Sequence, residues 1–185
     1  MASGSAVLAI DLINPFDFPG AAALLRETNR ILPNVRRILR RVREAGVPLI
    51  YCNDNFGQWR SDFRSNVDLC TGEGARGAAV VRQVVPSAVD YFILKPKHSA
   101  FFQTPLRVLL DQLGTKRLAL IGVTADACIL NTALDAHVRE FEVAVVRDAV
   151  ASQTAARTRR ALDLLATDRP VRVIATRAAL GWIGA

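Results

Sequence analysis

The segment GTKRLALIGVTADACILNTALDAHVR, residues 114–139, decides the fold of this chain. Residues 118–123 (LALIGV) form a short, continuous apolar run, which is typical of a strand buried in the middle of a parallel sheet. After it, apolar residues recur at three- and four-residue spacing up to Val138, which predicts a helix with one apolar face. The segment therefore predicts a buried strand, a tight turn and a helix, with Thr124 and Asp126 as residues able to cap the helix start.

Cys128 falls in the first turn of the predicted helix, just past the carboxyl end of the predicted strand. A helix N-terminus carries about half a positive charge and unpaired N–H donors, so it lowers the pKa of a thiol and can hold an oxyanion. Most free cysteines, however, are small buried residues of the core. The segment alone leaves both interpretations open, a thiolate nucleophile and a core cysteine.

Five further apolar runs have the length of strands, and three stretches between them have helical periodicity. The predicted strands cover residues 6–10, 47–52, 91–94, 142–146 and 171–174, and the predicted helices cover residues 28–44, 105–113 and 154–165. Strands that alternate with helices are typical of a parallel sheet covered on both faces. We therefore predict an α/β fold: a three-layer α/β/α, doubly wound, six-stranded and mostly parallel sheet of Rossmann-like type. It is expected to form a single domain over residues 1–185.

The composition is that of a globular chain, with 51% hydrophobic and 22% charged residues. No apolar run approaches the ~20 residues of a membrane span, and the first residues do not resemble a secretory or transit segment. The three cysteines lie far apart in the sequence, which favours neither a disulfide framework nor a metal-binding motif. We expect a cytoplasmic protein without a membrane partner.

The net charge of +7 comes largely from arginines, which crowd residues 36–43 and 157–160. Both stretches are predicted to be helical, where such residues normally form the solvated face. No nucleic-acid-binding motif is present, and no aromatic residues are interleaved with the arginines. We therefore expect no nucleic-acid partner, whereas a small anionic substrate is compatible with the same charge.

Four reactive side chains stand at or just past the carboxyl ends of four different predicted strands. They are Asp11, Asp54, Lys95 and Cys128. In open α/β sheets, ligands bind beyond these ends, near the point where the strand order switches. A single aspartate there would be explained as a loop cap and a single lysine as a surface ion pair. Four such residues at one edge favour a catalytic site in which Cys128 is the nucleophile.

A thiol nucleophile needs a proton acceptor and a group that stabilises the thiolate. His137 lies nine residues further along the same helix, ~13 Å away, and is too distant. His98 follows the third predicted strand and remains open as a partner. Asp11 and Lys95 are favoured, because a carboxylate takes the thiol proton and an ammonium group lowers the thiol pKa. We therefore expect the pKa of Cys128 to lie below the ~8.5 of a free thiol.

Four stretches occur in an order that resembles the isochorismatase-like cysteine hydrolases. They read AIDLINPF, KPKHSAF, GVTADACILNTALDAH and VVRDAVAS. The group also contains nicotinamidases, ureidoacrylate-type amidases and N-carbamoylsarcosine amidase. The resemblance extends over residues 7–174, nearly the whole chain. It implies a catalytic triad of Cys128 as nucleophile, Asp11 as general acid and base, and Lys95 as their support.

The resemblance also implies the surroundings and the reaction of the cysteine. The backbone N–H groups of Thr124 and Cys128 would form an oxyanion hole, next to a cis peptide bond between Val123 and Thr124. The implied reaction is hydrolysis of a C–N bond (amide, ureido or carbamoyl) of a small molecule through a thioester. Hydrolysis of a vinyl ether, as in isochorismatase, and a binding or scaffold module without activity are the alternatives. This family usually assembles into dimers or tetramers, so a homodimer or homotetramer is expected.

One departure from the family concerns metal binding. Nicotinamidases of the group carry an Asp-x-His motif and a further histidine that bind a metal beside the cysteine. At the corresponding place this chain reads NDNFGQW, residues 53–59, and no histidine occurs before His98. The comparison implies that no metal and no cofactor are bound, and it argues against nicotinamide as the substrate.

Substrate selectivity is expected to reside in the least regular parts of the chain. The predicted substrate-binding residues are Phe16, Trp59, Arg60 and Phe102.

Overall fold

Six strands form one sheet in the computed structural model, which describes residues 4–168 and 171–185. The strands are β1 (Ser5–Ile10), β2 (Leu49–Asp54), β3 (Tyr91–Lys95), β4 (Arg117–Val123), β5 (Glu142–Ala151) and β6 (Arg172–Ile174). Their order is β3-β2-β1-β4-β5-β6, and every neighbouring pair is parallel. The prediction of a doubly wound parallel sheet is confirmed. Residues 1–3, where the expectation about a targeting segment begins, lie outside the described residues.

Helices cover both faces of this sheet. They are α1 (Ala21–Glu44), α2 (Phe63–Thr71), α3 (Ala78–Val81), α4 (Leu106–Gln112), a π-helical turn (Ala125–Ile129), α5 (Leu130–Val138), α6 (Ala155–Asp168) and α7 (Thr176–Ile183). Buried residues of α1, α2, α3 and α7 belong to one hydrophobic core. Those of α4, the π-helical turn, α5 and α6 belong to the other. The three-layer α/β/α arrangement is therefore confirmed.

The central strands are apolar without interruption because each of their faces meets a different core. In β1, Val7 and Ala9 belong to the core under α1, whereas Leu8 and Ile10 belong to the core under α5. All six residues of β1 are buried. A strand buried on both faces has no solvent side on which polar residues would alternate. This explains why the apolar runs predicted the strands.

Helix α1 begins at Ala21, seven residues before the predicted start at Thr28. The apolar face continues upstream, since Ala21 and Leu24 are both buried. Gly20 precedes the helix with a φ of 83°, a left-handed conformation that glycine adopts without strain. The segment that leads from β1 into α1 is therefore shorter than predicted.

Strand β5 has ten residues and extends to Ala151, five residues beyond the predicted end. A register shift opposite residues 120–122 allows the strand to continue past its polar residues Arg147 and Asp148. Asp148 is used structurally, because its Oδ1 accepts hydrogen bonds from the backbone N–H and the hydroxyl of Thr176, at 2.8 and 2.9 Å. Asp148, which lies beyond the predicted end of the strand, thus secures the start of α7.

Within residues 4–168 and 171–185, none of the helices combines the length and the apolar character that crossing a membrane requires.

Candidate active site

The strand order switches between β1 and β4, which are neighbours in the sheet but far apart in sequence. Asp11 directly follows β1, and Cys128 lies in the π-helical turn shortly after β4. Lys95 is the last residue of β3, two strands away from β1. The carboxyl ends of these strands meet at one edge of the sheet, where open α/β folds bind ligands. The structure therefore brings the predicted reactive residues together.

Gly122 allows β1 and β4 to approach closely at this edge. Its φ is +114°, and a Cβ atom there would lie 2.0 Å from the carbonyl oxygen of Ile10. A side chain at this position would force the two strands apart, directly before Asp11. Sequence reasoning did not single out Gly122, although a glycine inside an apolar strand run often marks such a close approach.

Asp11 is held in place by the backbone around it. Its own φ is 49°, a left-handed conformation that aspartate adopts more readily than most residues. Its N–H donates to the carbonyl oxygen of Cys52 at 3.0 Å. Its Oδ1 accepts a hydrogen bond from the N–H of Asp54 at 2.8 Å, and only 6% of the residue is exposed. The other carboxylate oxygen, Oδ2, is available to accept a hydrogen bond from a partner on the opposite side.

That partner is the ammonium group of Lys95, which is fully buried. Its Nζ lies 2.9 Å from Oδ2 of Asp11 and 3.6 Å from Sγ of Cys128. The carboxylate of Asp54 is further away, at 4.0 Å. Burial lowers the pKa of Lys95, but the charge of Asp11, with smaller contributions from Cys128 and Asp54, raises it above its usual value. Lys95 is therefore a buried cation that contacts both Asp11 and Cys128.

The thiol of Cys128 is protonated at neutral pH, contrary to the sequence-based expectation. Burial, followed by the charge of Asp11, raises its pKa to about 12, and Lys95 only partly offsets this. The expectation of a pKa below that of a free thiol is wrong, because it gave too little weight to burial and to the neighbouring carboxylate. The resting site holds a thiol, an ion pair and no preformed thiolate.

The turn that carries Cys128 is a five-residue π-helix, not the first turn of an α-helix. The peptide bond between Val123 and Thr124 is cis, as the resemblance implied. Thr124 precedes the turn without a side-chain capping hydrogen bond, so its predicted capping role is wrong.

Asp126 connects the π-helical turn to the region around the start of α6. Its carboxylate accepts from Oγ of Ser152 at 2.6 Å and from Nε of Arg157 at 2.5 Å. Its N–H donates to the same serine oxygen at 3.2 Å. Although burial acts to raise the pKa of Asp126, the bonds to Ser152 and Arg157 lower it below its usual value. The aspartate predicted as a helix cap thus attaches the cysteine-bearing turn to a neighbouring element.

His98 approaches Cys128 from the loop that follows β3. Its Nδ1 lies 3.9 Å from Sγ, and the residue is exposed. Two contacts fasten this loop to α5: the hydroxyl of Ser99 donates to the carboxylate of Asp135, and the N–H of Ala100 donates to the hydroxyl of Thr132 at 3.0 Å.

A cavity of about 620 Å³ opens beside His98 at the mouth of the site. Its lining includes Asp54, Trp59, Lys97, His98, Phe102 and Gln103. Arg60 lines an adjoining depression together with Trp59. Three of the four predicted substrate-binding residues, Trp59, Arg60 and Phe102, therefore surround the mouth.

Phe16 does not belong to this mouth. It is fully buried, and its ring packs so closely on Gly77 that a Cβ there would lie 2.4 Å from Cδ2 of Phe16. Its φ of 53° and a 2.8 Å bond from its N–H to Oδ1 of Asn14 turn the ring into the core. Its predicted contact with substrate is not supported, because the ring has no exposed surface.

The side chains of residues 53–55 (NDN) each form a hydrogen bond with a backbone group. Asn53 donates to the carbonyl oxygen of Ile13 at 2.6 Å. Asp54 and Asn55 accept from the N–H groups of residues 56 and 57, at 2.7 and 3.0 Å. Among the described residues, no group of three or more His, Cys, Asp or Glu side chains is arranged to hold a metal ion. The absence of a metal from the reaction stays a prediction.

Comparisons with known proteins identify the family. The family model of the isochorismatase domain matches residues 5–178. The uncharacterized isochorismatase family protein YaaI of Bacillus subtilis (strain 168) is 35% identical over 149 residues, which cover 80% of this chain and 81% of that protein. A probable inactive nicotinamidase of Arabidopsis thaliana is 31% identical over 160 residues, with coverage of 81% and 82%.

A solved structure agrees with these sequence matches. N-carbamoylsarcosine amidase from Thermoplasma acidophilum superposes with a TM-score of 0.69 at 26% identity, covering 93% of this chain and 96% of that one. Sheet order, site position and sequence thus define an α/β protein with an isochorismatase-like hydrolase fold. The chain belongs to the isochorismatase family.

Proposed function

We propose that this protein is a cysteine-dependent hydrolase that cleaves a C–N bond of a small molecule through a thioester intermediate. The bond belongs to an amide, a ureido or a carbamoyl group. Cys128 is the nucleophile, Asp11 the general acid and base, and Lys95 the cation that links them. The observation that supports this most strongly is the buried ammonium of Lys95, 2.9 Å from the Asp11 carboxylate and 3.6 Å from the Cys128 sulfur.

The high pKa of Cys128 determines how acylation begins. Because the resting thiol is protonated, it must lose its proton as it attacks the substrate carbonyl. Asp11 accepts this proton, since its carboxylate faces the thiol and itself contributes to the raised thiol pKa. Lys95 then lies beside the developing thiolate and stabilises its charge. Removal of the proton and attack by sulfur occur together, which avoids a free thiolate in a buried site.

The carbonyl oxygen gains negative charge as the tetrahedral intermediate forms. Backbone N–H groups of Thr124 and Cys128, at the beginning of the π-helical turn, are the proposed donors to this oxygen. The first N–H groups of a helix have no carbonyl partner within it, so they are suited to bind an anion. Asp11 then protonates the leaving nitrogen, and the C–N bond breaks to leave a thioester on Cys128.

The mouth of the site suggests what kind of substrate enters. Trp59 and Phe102 offer apolar ring faces, and Lys97 offers a cation in the same cavity. We therefore propose a small, flat or apolar amide-like compound that carries a carboxylate or another anionic group. Ring faces contribute contact area, and a few polar groups fix the orientation of a bound small molecule.

A panel of small amides, ureas and carbamoyl compounds, scored by ammonia release, tests the proposal. N-carbamoylsarcosine and nicotinamide belong in the panel, because relatives of this chain are named for them. We expect turnover of at least one anionic member by the parent and none by Cys128→Ala. Equal ammonia release by the parent and Cys128→Ala would contradict a cysteine-dependent reaction.

Chelation tests whether a metal takes part. One imidazole and one carboxylate make a poor site for zinc or iron, which normally take three protein ligands. Activity is therefore expected to survive chelators, and the purified protein to carry far less than one metal per chain. Loss of activity on chelation, with recovery on adding back zinc, iron or manganese, would contradict this expectation and favour a nicotinamidase-like reaction.

A non-catalytic role is the second candidate, favoured by the description of the Arabidopsis thaliana relative as a probable inactive nicotinamidase. In that case this chain would bind a small molecule at the same mouth without consuming it. Binding of a panel compound by the parent, with neither ammonia release nor acylation of Cys128, would support this second role. The retention of Asp11, Lys95 and Cys128 in mutual contact supports the enzyme.

Three broader expectations remain proposals. The chain is proposed to act as a single domain, to assemble as a homodimer or homotetramer, and to reside in the cytoplasm. Light scattering on the purified protein tests the assembly, with a monomer as the contradicting result.

A further inference from the structure

We propose that His98 is the general base of the second half of the reaction, in which water hydrolyses the thioester on Cys128. This inference rests on the proposed function and adds a fourth catalytic residue to it. Asp11 and Lys95 serve acylation from the buried side of the sulfur, and His98 serves deacylation from its solvent side.

The two sides of the sulfur atom differ in their access to water. Lys95 is fully buried and Asp11 is 6% exposed, and both lie within the sheet edge. His98 is exposed and lines the cavity at the mouth, with Nδ1 3.9 Å from Sγ of Cys128. A water in this cavity is therefore next to His98, whereas Asp11 is on the buried side of the sulfur.

Asp11 reaches the sulfur from the buried side and is not among the residues that line the cavity at the mouth. After it has protonated the leaving nitrogen, it is again a carboxylate 2.9 Å from Nζ of Lys95. Its other oxygen accepts the N–H of Asp54 at 2.8 Å. Both carboxylate oxygens of Asp11 therefore have partners on the buried side, whereas Nδ1 of the exposed His98 lies 3.9 Å from the sulfur and is close enough to act on a water between them.

The position of His98 relative to Cys128 is fixed by two contacts between its loop and helix α5. The residue that follows it, Ser99, donates to the carboxylate of Asp135 in α5. The next residue, Ala100, donates its N–H to the hydroxyl of Thr132 in the same helix, at 3.0 Å. Helix α5 directly continues the π-helical turn that carries Cys128. The imidazole and the thioester are therefore held by one connected unit.

Hydrolysis of the thioester consumes one water molecule, and His98 carries its proton. An O–H bond of water breaks, its proton goes to Nδ1 of His98, and its oxygen bonds to the acyl carbon. The tetrahedral intermediate collapses with cleavage of the C–S bond, and the imidazolium returns the proton to Sγ of Cys128. A carboxylic or carbamic acid leaves, and the neutral thiol and neutral imidazole are restored without any further reactant.

The test uses p-nitrophenyl acetate, because its leaving group departs as p-nitrophenolate without needing a proton. Release of p-nitrophenolate is followed by stopped flow for the parent, His98→Gln and His137→Gln. His137 is the one other histidine of the chain and is assigned no part in catalysis, so it provides the matched control. Intact mass spectrometry measures the acetylated fraction of each protein during turnover.

For His98→Gln we expect a burst of one p-nitrophenolate per chain at the parental rate, followed by a steady state that is about 10²-fold slower. The acetyl adduct on Cys128 should accumulate. Hydroxylamine, which attacks a thioester without a general base, should restore steady-state release to within a few-fold of the parent. His137→Gln should match the parent in every measurement.

Parental steady-state turnover in His98→Gln would overturn the assignment. An equal loss of the burst and of the steady state would also overturn it, since His98 would then serve the thiol and not the water. Turnover of the ester by Cys128→Ala at the rate of the parent would contradict the proposed cysteine hydrolase itself, and the role of His98 with it. His98→Ala with added imidazole repeats the test without relying on the glutamine side chain, and failure of imidazole to accelerate deacylation would count against the assignment.

Discussion

The buried end of the site and its mouth differ in how their residues are held. Asp11 and Lys95 are at most 6% exposed, and each bonds to neighbouring backbone or side chains at the ends of parallel strands. At the mouth, Trp59 is 79% exposed and Phe102 is 49% exposed. The bond-breaking groups are thus fixed by the sheet, and the residues proposed to select the substrate project from loops.

This difference distinguishes the buried ion pair of Asp11 and Lys95 from the exposed aromatic residues that are proposed to bind the substrate. A change at the buried end must disturb charges that have few other partners, so it affects both stability and rate. A change at the exposed rings of Trp59 or Phe102 removes a contact that water replaces, so it affects binding alone. Variants at the buried end should therefore change turnover and stability more than variants of the exposed rings do.

Replacement of the nucleophile should have the largest effect. Cys128→Ala is expected to lower turnover by at least about 10³-fold, because no other group in the site can form the thioester. Circular dichroism should match the parent, since alanine fits the space of a half-buried cysteine. Cys70→Ala is the control and should remain active, because Cys70 lies in α2 on the opposite face of the sheet. Turnover of Cys128→Ala within tenfold of the parent would remove Cys128 from its proposed role.

Asp11→Asn should distinguish proton transfer by Asp11 from the effect of its negative charge on the pKa of Cys128. Turnover is expected to fall by about 10²–10⁴-fold, because the amide cannot take the thiol proton. At the same time the thiol pKa of Cys128 should decrease from its raised value of about 12, because the charge of Asp11 contributes to that value.

Iodoacetamide alkylation of Cys128 against pH, followed by mass spectrometry, measures this change. In the parent the rate should still be rising above pH 9, and in Asp11→Asn the curve should move to lower pH. A variant in which the thiol pKa falls and turnover is kept would show that Asp11 is not the base.

Lys95→Met should lower the free energy of unfolding as well as the turnover rate. Removal of one partner of a buried ion pair leaves the other unpaired, which destabilises by about 3–5 kcal/mol. Chemical denaturation should report this loss, and Asp11→Asn in the same chain should restore part of it, because no unpaired carboxylate then remains. Equal stability of Lys95→Met and the parent would show that the ion pair is not coupled to the fold.

Trp59→Ala should have the smallest effect on stability and on the rate of the chemical steps. Exposed substitutions usually change stability by no more than about 0.5 kcal/mol, so its unfolding free energy should match the parent. Its KM for the best panel substrate should rise while its rate of deacylation stays the same. An unchanged KM would exclude Trp59 from substrate binding and place selectivity elsewhere around the mouth.

The same contrast explains what the sequence predicted. Asp11, Lys95 and Cys128 each follow an apolar run, and parallel strands bring their carboxyl ends to one edge. Sequence position alone therefore implied that they meet. No comparable rule positions a loop residue, so Phe16 was expected at the mouth although its backbone turns its ring towards Gly77.

Two features of the buried end depend on tertiary structure and were also missed. The pKa of Cys128 is set by burial and by the charge of Asp11, neither of which can be estimated from a helix start. Asp126 has the position of a helix cap, but Ser152 and Arg157 are close enough to bind it only because the fold brings β5 and α6 alongside. In both cases a distant segment of the chain outweighs the local pattern.

Direct observation of the acyl-enzyme tests the central claim, that Cys128 carries the substrate's acyl group. A panel substrate that is turned over is mixed with excess protein, quenched with acid within one turnover, and the peptide that contains Cys128 is analysed by mass spectrometry. We expect an acyl adduct on Cys128 that forms and decays at rates consistent with turnover, and that hydroxylamine removes. Product formation within that single turnover, with Cys128 unmodified at every time point, would contradict it.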